Sequence, residues 1–196
     1  DLTHDEPRYR QASLDYIRAA LALCRAWNAR ILAGPMYSAV GKRRQIPEAQ
    51  RAVEWGRAVD GLREAARMAA DAGVILAIEP LNRFETDLIN TAGQCARLLD
   101  EVGSPSVKMH LDTFHMNIEE HSILEAVRCA GQRLAHVHGC ENDRGAPGTG
   151  LVAWTQLAQG LREVGYQGDV VIESFTPECL SIAAAAAIWR PLATSQ

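Results

Sequence analysis

Two hydrophobic periods alternate along the chain. Asp5-Glu6-Pro7 offers a capping side chain and a proline suited to a first helical turn, and a helical stripe follows at Leu14, Ile17, Leu21 and Cys24. A short apolar run at 30–35 then has strand length. Beyond a polar loop carrying Gly41, Lys42 and Arg43, Pro47 opens a long helical pattern that stops at Gly73, a residue suited to a left-handed C-terminal cap. The alternation continues with strand patterns at 74–79, 107–112, 134–138 and 169–173. Helical patterns cover 91–102, about 122 to 130, 154–164 and the alanine-rich stretch after Pro177. Thr91 with Gln94, and Ser122 with Glu125, have the spacing of a capping box.

Five strand–helix units in a row, with no hairpin signal between adjacent strands, predict a parallel sheet. An open doubly wound sheet and a (β/α)8 barrel both accommodate that pattern. The doubly wound sheet wants G-x-G-x-x-G after a strand, which the chain lacks; Pro147-Gly148-Thr149-Gly150 has the glycines without the spacing. The fold expected is therefore α/β, a (β/α)8 TIM barrel. A closed barrel takes about 250 residues and eight strands. With 196 residues, five strand patterns and a helix as first element, residues 1–196 read as one partial barrel domain. About three strands are expected to be wanting on the N-terminal side, leaving two open sheet edges that invite pairing.

Composition changes little in this picture. At 47% hydrophobic and 22% charged, the chain can bury a core and is not compositionally disordered. A formal charge of −4 gives no broad attraction for a phosphate backbone, so no nucleic-acid partner is expected. The local cluster Lys42, Arg43 and Arg44 reads as a solvated loop. The cysteines, Cys24, Cys95, Cys129, Cys140 and Cys179, are dispersed and form no C-x-x-C pair, which points to reduced thiols in a cytoplasmic protein. No apolar run approaches membrane-spanning length, since the stretch 181–189 stops at Arg190, and no membrane partner is expected. There is no signal-peptide pattern, and a start at Asp1 reads as a processed, trimmed or incomplete end.

Chemistry enters at the strand ends. In a barrel the C-terminal ends of the strands form the active face. Four consecutive strand patterns end in metal-ligand residue types: Glu79, Asp112, His138 and Glu173. Three carboxylates with one imidazole suit Mn²⁺ foremost, or Mg²⁺ or Co²⁺, better than structural Zn²⁺. Strand parity turns His136 inward one layer below His138, and His110 below Asp112, as core or supporting partners. His4 and His121 are expected to face solvent. The loops add Arg83, Glu85, His115, Glu141, Asn142 and Arg144, a set suited to a polyhydroxylated ligand. For Arg83 a structural salt bridge competes with that role.

Several stretches resemble the xylose-isomerase-like sugar isomerase/epimerase superfamily, and within it the D-tagatose/D-psicose (allulose) 3-epimerases. They are 78–85 (IEPLNRFE), 111–117 (LDTFHMN), His136-Val137-His138, the loop 141–150 and 171–175 (VIESF). The resemblance implies that Glu79, Asp112, His138 and Glu173 bind one divalent metal, and that Glu79 and Glu173 are the catalytic acid and base. It implies that Glu85, His115 and Arg144 hold a ketose near its C1 to C3 oxygens. It also implies about three further βα units before Asp1, a longer final helix, and a homo-oligomer in the full-length protein. The activity implied is C3 epimerisation of a free ketose by proton removal and return. Aldose–ketose, hydroxypyruvate and inosose-type isomerases on the same scaffold remain alternatives. An apurinic-site endonuclease would need more rim histidines and a basic track, and a non-catalytic fragment is the last alternative.

Overall fold

The computed structural model describes residues 1–175 and 180–189. Pro7 opens the first helix, α1 (Pro7–Ala26), and the stripe Leu14, Ile17, Leu21 and Cys24 is its buried face. The residue flanking the helix is Glu6, with no side-chain cap, while Asp5 is turned to Arg57 at 2.5 Å. The expected cap is thus replaced by an ion pair between elements. Strand β1 (Ile31–Gly34) leads to α2 (Glu48–Ala72), which ends at Gly73 with φ 68°. Only a residue without Cβ takes that left-handed angle freely.

Next come β2 (Ile75–Ile78) and α3 (Ala92–Val102), whose Thr91–Gln94 capping box has both halves formed. Strand β3 (Val107–Asp112) runs directly into α4 (Thr113–Glu119), a helix the pattern did not predict. At seven residues it carries no apolar stripe; the Asp112 carboxylate starts it by accepting from Phe114 N–H. In α5 (Ile123–Ala130), Ser122 accepts from Glu125 N–H, the Ser122 half of the expected box. A 3-10 turn, Gly131–Arg133, precedes β4 (Leu134–Gly139), followed by α6 (Trp154–Glu163), β5 (Val170–Ile172) and α7 (Leu180–Ala185). The start of the helix expected after Pro177, and Cys179, lie outside the described residues.

All four strand pairings are parallel and the order is β1-β2-β3-β4-β5, an arc of a TIM barrel with β1 and β5 at its edges. Alternation divides the strands between two faces. Leu76, Ile78, Met109, Leu111 and Val137 join Leu62, Leu98 and Val127 of the helices in one hydrophobic core. Fully burying each leucine or isoleucine contributes roughly 1.5–3 kcal/mol. The opposite parity carries His110, Asp112, His136 and His138, with His110 in register with His136 and Asp112 with His138. The core therefore builds the wall, and the polar face is what the wall presents.

Lys42 and Arg44 depart from the solvated loop expected of them. Arg44 forks onto Glu54 at 2.7 Å and Asp87 at 2.9 Å, and Lys42 Nζ donates to Thr3 Oγ1 at 2.5 Å. His121 is exposed, whereas His4 is half-buried with its ring 4.4 Å from that of Tyr9. Cys24, Cys95, Cys129 and Cys140 are free thiols. Among the described residues, no helix is long and apolar enough to cross a membrane.

Candidate metal centre

Parallel strands bring their C-terminal ends to one rim, and the four strand-end residues meet there. Glu79 follows β2, Asp112 closes β3, His138 lies near the end of β4, and Glu173 follows β5. Donor atoms of Glu79, Asp112 and His138 all lie within 4.8 Å of one another. His138 Nδ1 stands 3.3 Å from Glu173 Oε1 and 3.8 Å from Asp112 Oδ2. That nitrogen is buried and has no hydrogen-bond partner. An unpartnered imidazole nitrogen facing carboxylates is a donor set that a divalent cation would complete. The residues present fit such an ion.

The neighbouring side chains fix how these groups point. Asp112 Oδ1 accepts from Phe114 N–H at 2.7 Å and from the Cys140 thiol at 3.4 Å, which leaves Oδ2 for the centre. Arg144 Nη1 donates to Asp112 Oδ2 at 2.8 Å and to Glu173 Oε2 at 2.7 Å, and its guanidinium lies 4.0 Å from the Phe114 ring centroid. Phe175 N–H donates to Arg144 O, and Ser174 Oγ to Gly145 O, so the segment after β5 is tied to the loop carrying Arg144. His115, on α4, accepts from Asn82 N–H through Nδ1 at 3.0 Å. Its Nε2 is then the protonated nitrogen, 3.7 Å from Glu79 Oε1. Glu85 accepts from Asn82 Nδ2 at 2.9 Å. A cavity of about 680 Å³ opens at this mouth, with Asn82, Glu85, Phe114, Arg144 and Phe175 among its walls. A larger one of about 800 Å³ lies along α1 and β1 and touches none of the four strand-end residues.

Other loop residues do something different. Arg83 is exposed and paired with Glu119 at 2.9 Å, the salt bridge that was one of the two roles open to it. Glu141 does not reach the centre. It is fully buried and accepts from Gly148 N–H, Val152 N–H and Trp154 Nε1–H, folding its own loop. Cys140 and Asn82 were not anticipated as contributors. For Cys140 the available signal was parity, since it lies two residues beyond His138.

Charge follows this packing. Burial pushes the Glu79 carboxyl up to about 8, helped by the charges of Asp112 and Glu173. Burial acts to raise Asp112 as well, but His138 and Arg144 outweigh it and hold that carboxyl well below the usual range. Burial pulls His138 down, yet Asp112 and Glu173 prevail and lift it to about 9. Burial lowers His115 to about 4, so it is neutral at pH 7. Burial thus sets Glu79 and His115, while opposite charges set Asp112 and His138.

Residues 1–192 match the family described as "Xylose isomerase-like TIM barrel". The chain belongs to this family. It is 35% identical over 192 residues to a D-psicose 3-epimerase of Enterocloster bolteae, covering 98% of this chain and 64% of that protein. Identity to an L-ribulose 3-epimerase of Mesorhizobium japonicum is 34% over 194 residues, with 98% and 64% covered. A crystal structure of a D-psicose 3-epimerase with D-tagatose, from Clostridium cellulolyticum H10, matches with a TM-score of 0.91 at 34% identity, over 98% of this chain and 66% of that one. The chain spans about two thirds of the length of these relatives. Within this xylose isomerase-like barrel, the candidate centre occupies the rim where TIM-barrel enzymes carry their chemistry.

Proposed function

We propose that the protein serves a divalent-metal-dependent epimerisation at C3 of a free ketose. The observation that carries this reading is the meeting of three carboxylates and an imidazole from four consecutive strands at one rim, beside an arginine and a neutral histidine. The likeness to named ketose 3-epimerases supports it. Residues 1–196 contribute to one barrel domain, and the free thiols favour a cytoplasmic location.

Glu79, Asp112, His138 and Glu173 would hold one ion, Mn²⁺ foremost and Mg²⁺ or Co²⁺ otherwise. When bound, the ion supplies Lewis-acid stabilisation of negative charge on the sugar oxygens. Epimerisation needs a base on one face of C3 and an acid on the other. Glu79 and Glu173 come from β2 and β5, on either side of Asp112 and His138 in the arc, and so can flank a sugar. One carboxylate takes the C3 proton, and the other returns a proton to the opposite face. The proton count closes with no redox partner. Burial makes Glu79 a stronger base than a free carboxylate, and a cation beside it would partly reverse this. His115 Nε2–H and the Arg144 guanidinium donate to ketose oxygens, and Glu85 accepts from a hydroxyl at the mouth.

Product identification with fructose, tagatose, ribulose and hydroxypyruvate in the presence of Mn²⁺ tests the reaction class. C3 epimers are expected; aldose products would move the assignment to an isomerase on the same scaffold. Glu173→Gln is expected to retain Mn²⁺ binding and lower turnover on the order of 10² or more. Near-normal turnover in that variant would remove Glu173 from the acid–base pair.

A further inference from the structure

His110 is fully buried, and neither of its ring nitrogens makes a hydrogen bond. A neutral imidazole carries one N–H and one lone pair, and a native interior rarely strands both. The surroundings show what each could serve. Nδ1 lies 3.5 Å from Glu79 Oε2, within a small movement of an N–H···O bond. The ring is 4.2 Å from His138 and 5.0 Å from His136, edge-on to both, and His136 and His138 are 5.0 Å apart. One ring nitrogen from each of the three can be chosen so that all lie within 4.8 Å of one another. The pairing of β3 with β4 produces this arrangement: His110 is in register with His136, one layer beneath the pair Asp112 and His138.

We infer that His110, His136 and His138 form a second cation site beneath the carboxylate rim, one that takes Zn²⁺ or a similar nitrogen-preferring ion. Three imidazoles select Zn²⁺, Ni²⁺ or Cu²⁺ over Mg²⁺ and Mn²⁺, the opposite preference to the oxygen-rich set above. Glu79 completes the arrangement from outside. A ligating histidine characteristically donates its other N–H to a carboxylate, which fixes its tautomer and ring plane, and Glu79 Oε2 stands where that partner belongs. His136 is half-buried. His138 belongs to both sets, and two dications held around one imidazole repel each other, so the two classes of metal antagonise each other. Only this antagonism rests on the proposed function; the histidine site stands on its own geometry.

The test uses the chain as it is, titrated separately with ZnCl₂ and MnCl₂ by calorimetry, with imidazole ¹⁵N resonances followed on the Zn²⁺ titration. Zn²⁺ is expected to shift His110, His136 and His138 among the 6 histidines. His136→Gln is expected to weaken Zn²⁺ by about 10-fold or more while Mn²⁺ affinity holds. Asp112→Asn should do the reverse. Unmoved His110 and His136 resonances under bound Zn²⁺ would overturn the site in the unaltered protein, whatever the variants do. Undiminished Zn²⁺ affinity in a folded His136→Gln would overturn it too. Zn²⁺ shifts in the trio without any Mn²⁺ binding would support this site and count against the proposed function instead.

Discussion

Arg144 Nη1 donates to Asp112 Oδ2 at 2.8 Å, the one carboxylate oxygen of Asp112 that its other partners leave for the centre. The same nitrogen reaches Glu173 Oε2 at 2.7 Å. A buried guanidinium in that position offsets the carboxylates much as a metal ion would. Its charge and a metal ion's therefore compete for the same two oxygens.

Arg144→Ala is accordingly expected to bind Mn²⁺ more tightly, on the order of 10-fold or more, since the guanidinium and a metal ion compete for the same two carboxylate oxygens. Turnover of a ketose should nonetheless fall, because a donor to the substrate is lost. Calorimetric titration checks the first half and initial rates the second. Weaker Mn²⁺ binding in the variant would mean that the guanidinium organises the carboxylates and does not compete for them.

Cys140 is the second group that orients Asp112. Burial pushes its thiol up to about 12, so it remains protonated and can donate to Asp112 Oδ1 at neutral pH. Cys140→Ala should free that carboxylate to rotate and weaken Mn²⁺ by about 3- to 10-fold, the equivalent of one modest hydrogen bond. Cys140→Ser, which keeps a donor, should recover most of the affinity. Equal Mn²⁺ affinity in Cys140→Ala and the parent protein would assign the orientation of Asp112 to Phe114 N–H and Arg144 without the thiol.

What could be read from the chain was whatever depends on local periodicity. The stripe on α1, the Thr91–Gln94 box, the glycine stop at Gly73 and the convergence of strand ends at one rim all follow from residue spacing and parallel topology. Long-range pairing was hidden. Arg44 and Asp87 are 43 positions apart, and no local rule connects a basic loop to that carboxylate. The helix α4 was missed because a side chain from the preceding strand starts it, and Glu141 was misjudged because its partners lie further along its own loop. Arg144 was legible as part of a polar binding loop, but its pairing with Asp112 and Glu173 was not. Its φ of 67° depends on how the loop closes, which hydrophobic pattern does not encode.

Glu141 supports a prediction about that loop. Its carboxylate takes three donors at 2.6 to 3.1 Å, including the indole of Trp154. Glu141→Ala strands the buried Val152 N–H at about 1–3 kcal/mol and removes the carboxylate that Gly148 N–H and the Trp154 indole also share. The loop should loosen, with raised hydrogen exchange at Gly148 and Val152 and altered Trp154 fluorescence. Exchange at the parent rate would mean that the loop is held by its backbone turns instead.

The Arg44 cluster sets an acid limit on stability. Burial acts to raise both Glu54 and Asp87, but bonding to Arg44, with Lys42 beside Glu54, overcomes it and leaves both carboxyls below their ordinary values. A carboxyl with a depressed folded pKa contributes stability that is complete above its unfolded value, roughly 4, and is lost as pH falls through its folded value. Glu54→Gln removes the charged partner of Arg44 and should cost roughly 1.5–3 kcal/mol at pH 7. Urea unfolding of the parent protein and variant between pH 7 and pH 3 should show that difference shrinking as pH drops below about 4. The narrowing follows because protonation of Glu54 in the parent brings it to the neutral state that the variant already has. A difference that stays constant over that range would show that Glu54 acts through packing, not through its charge.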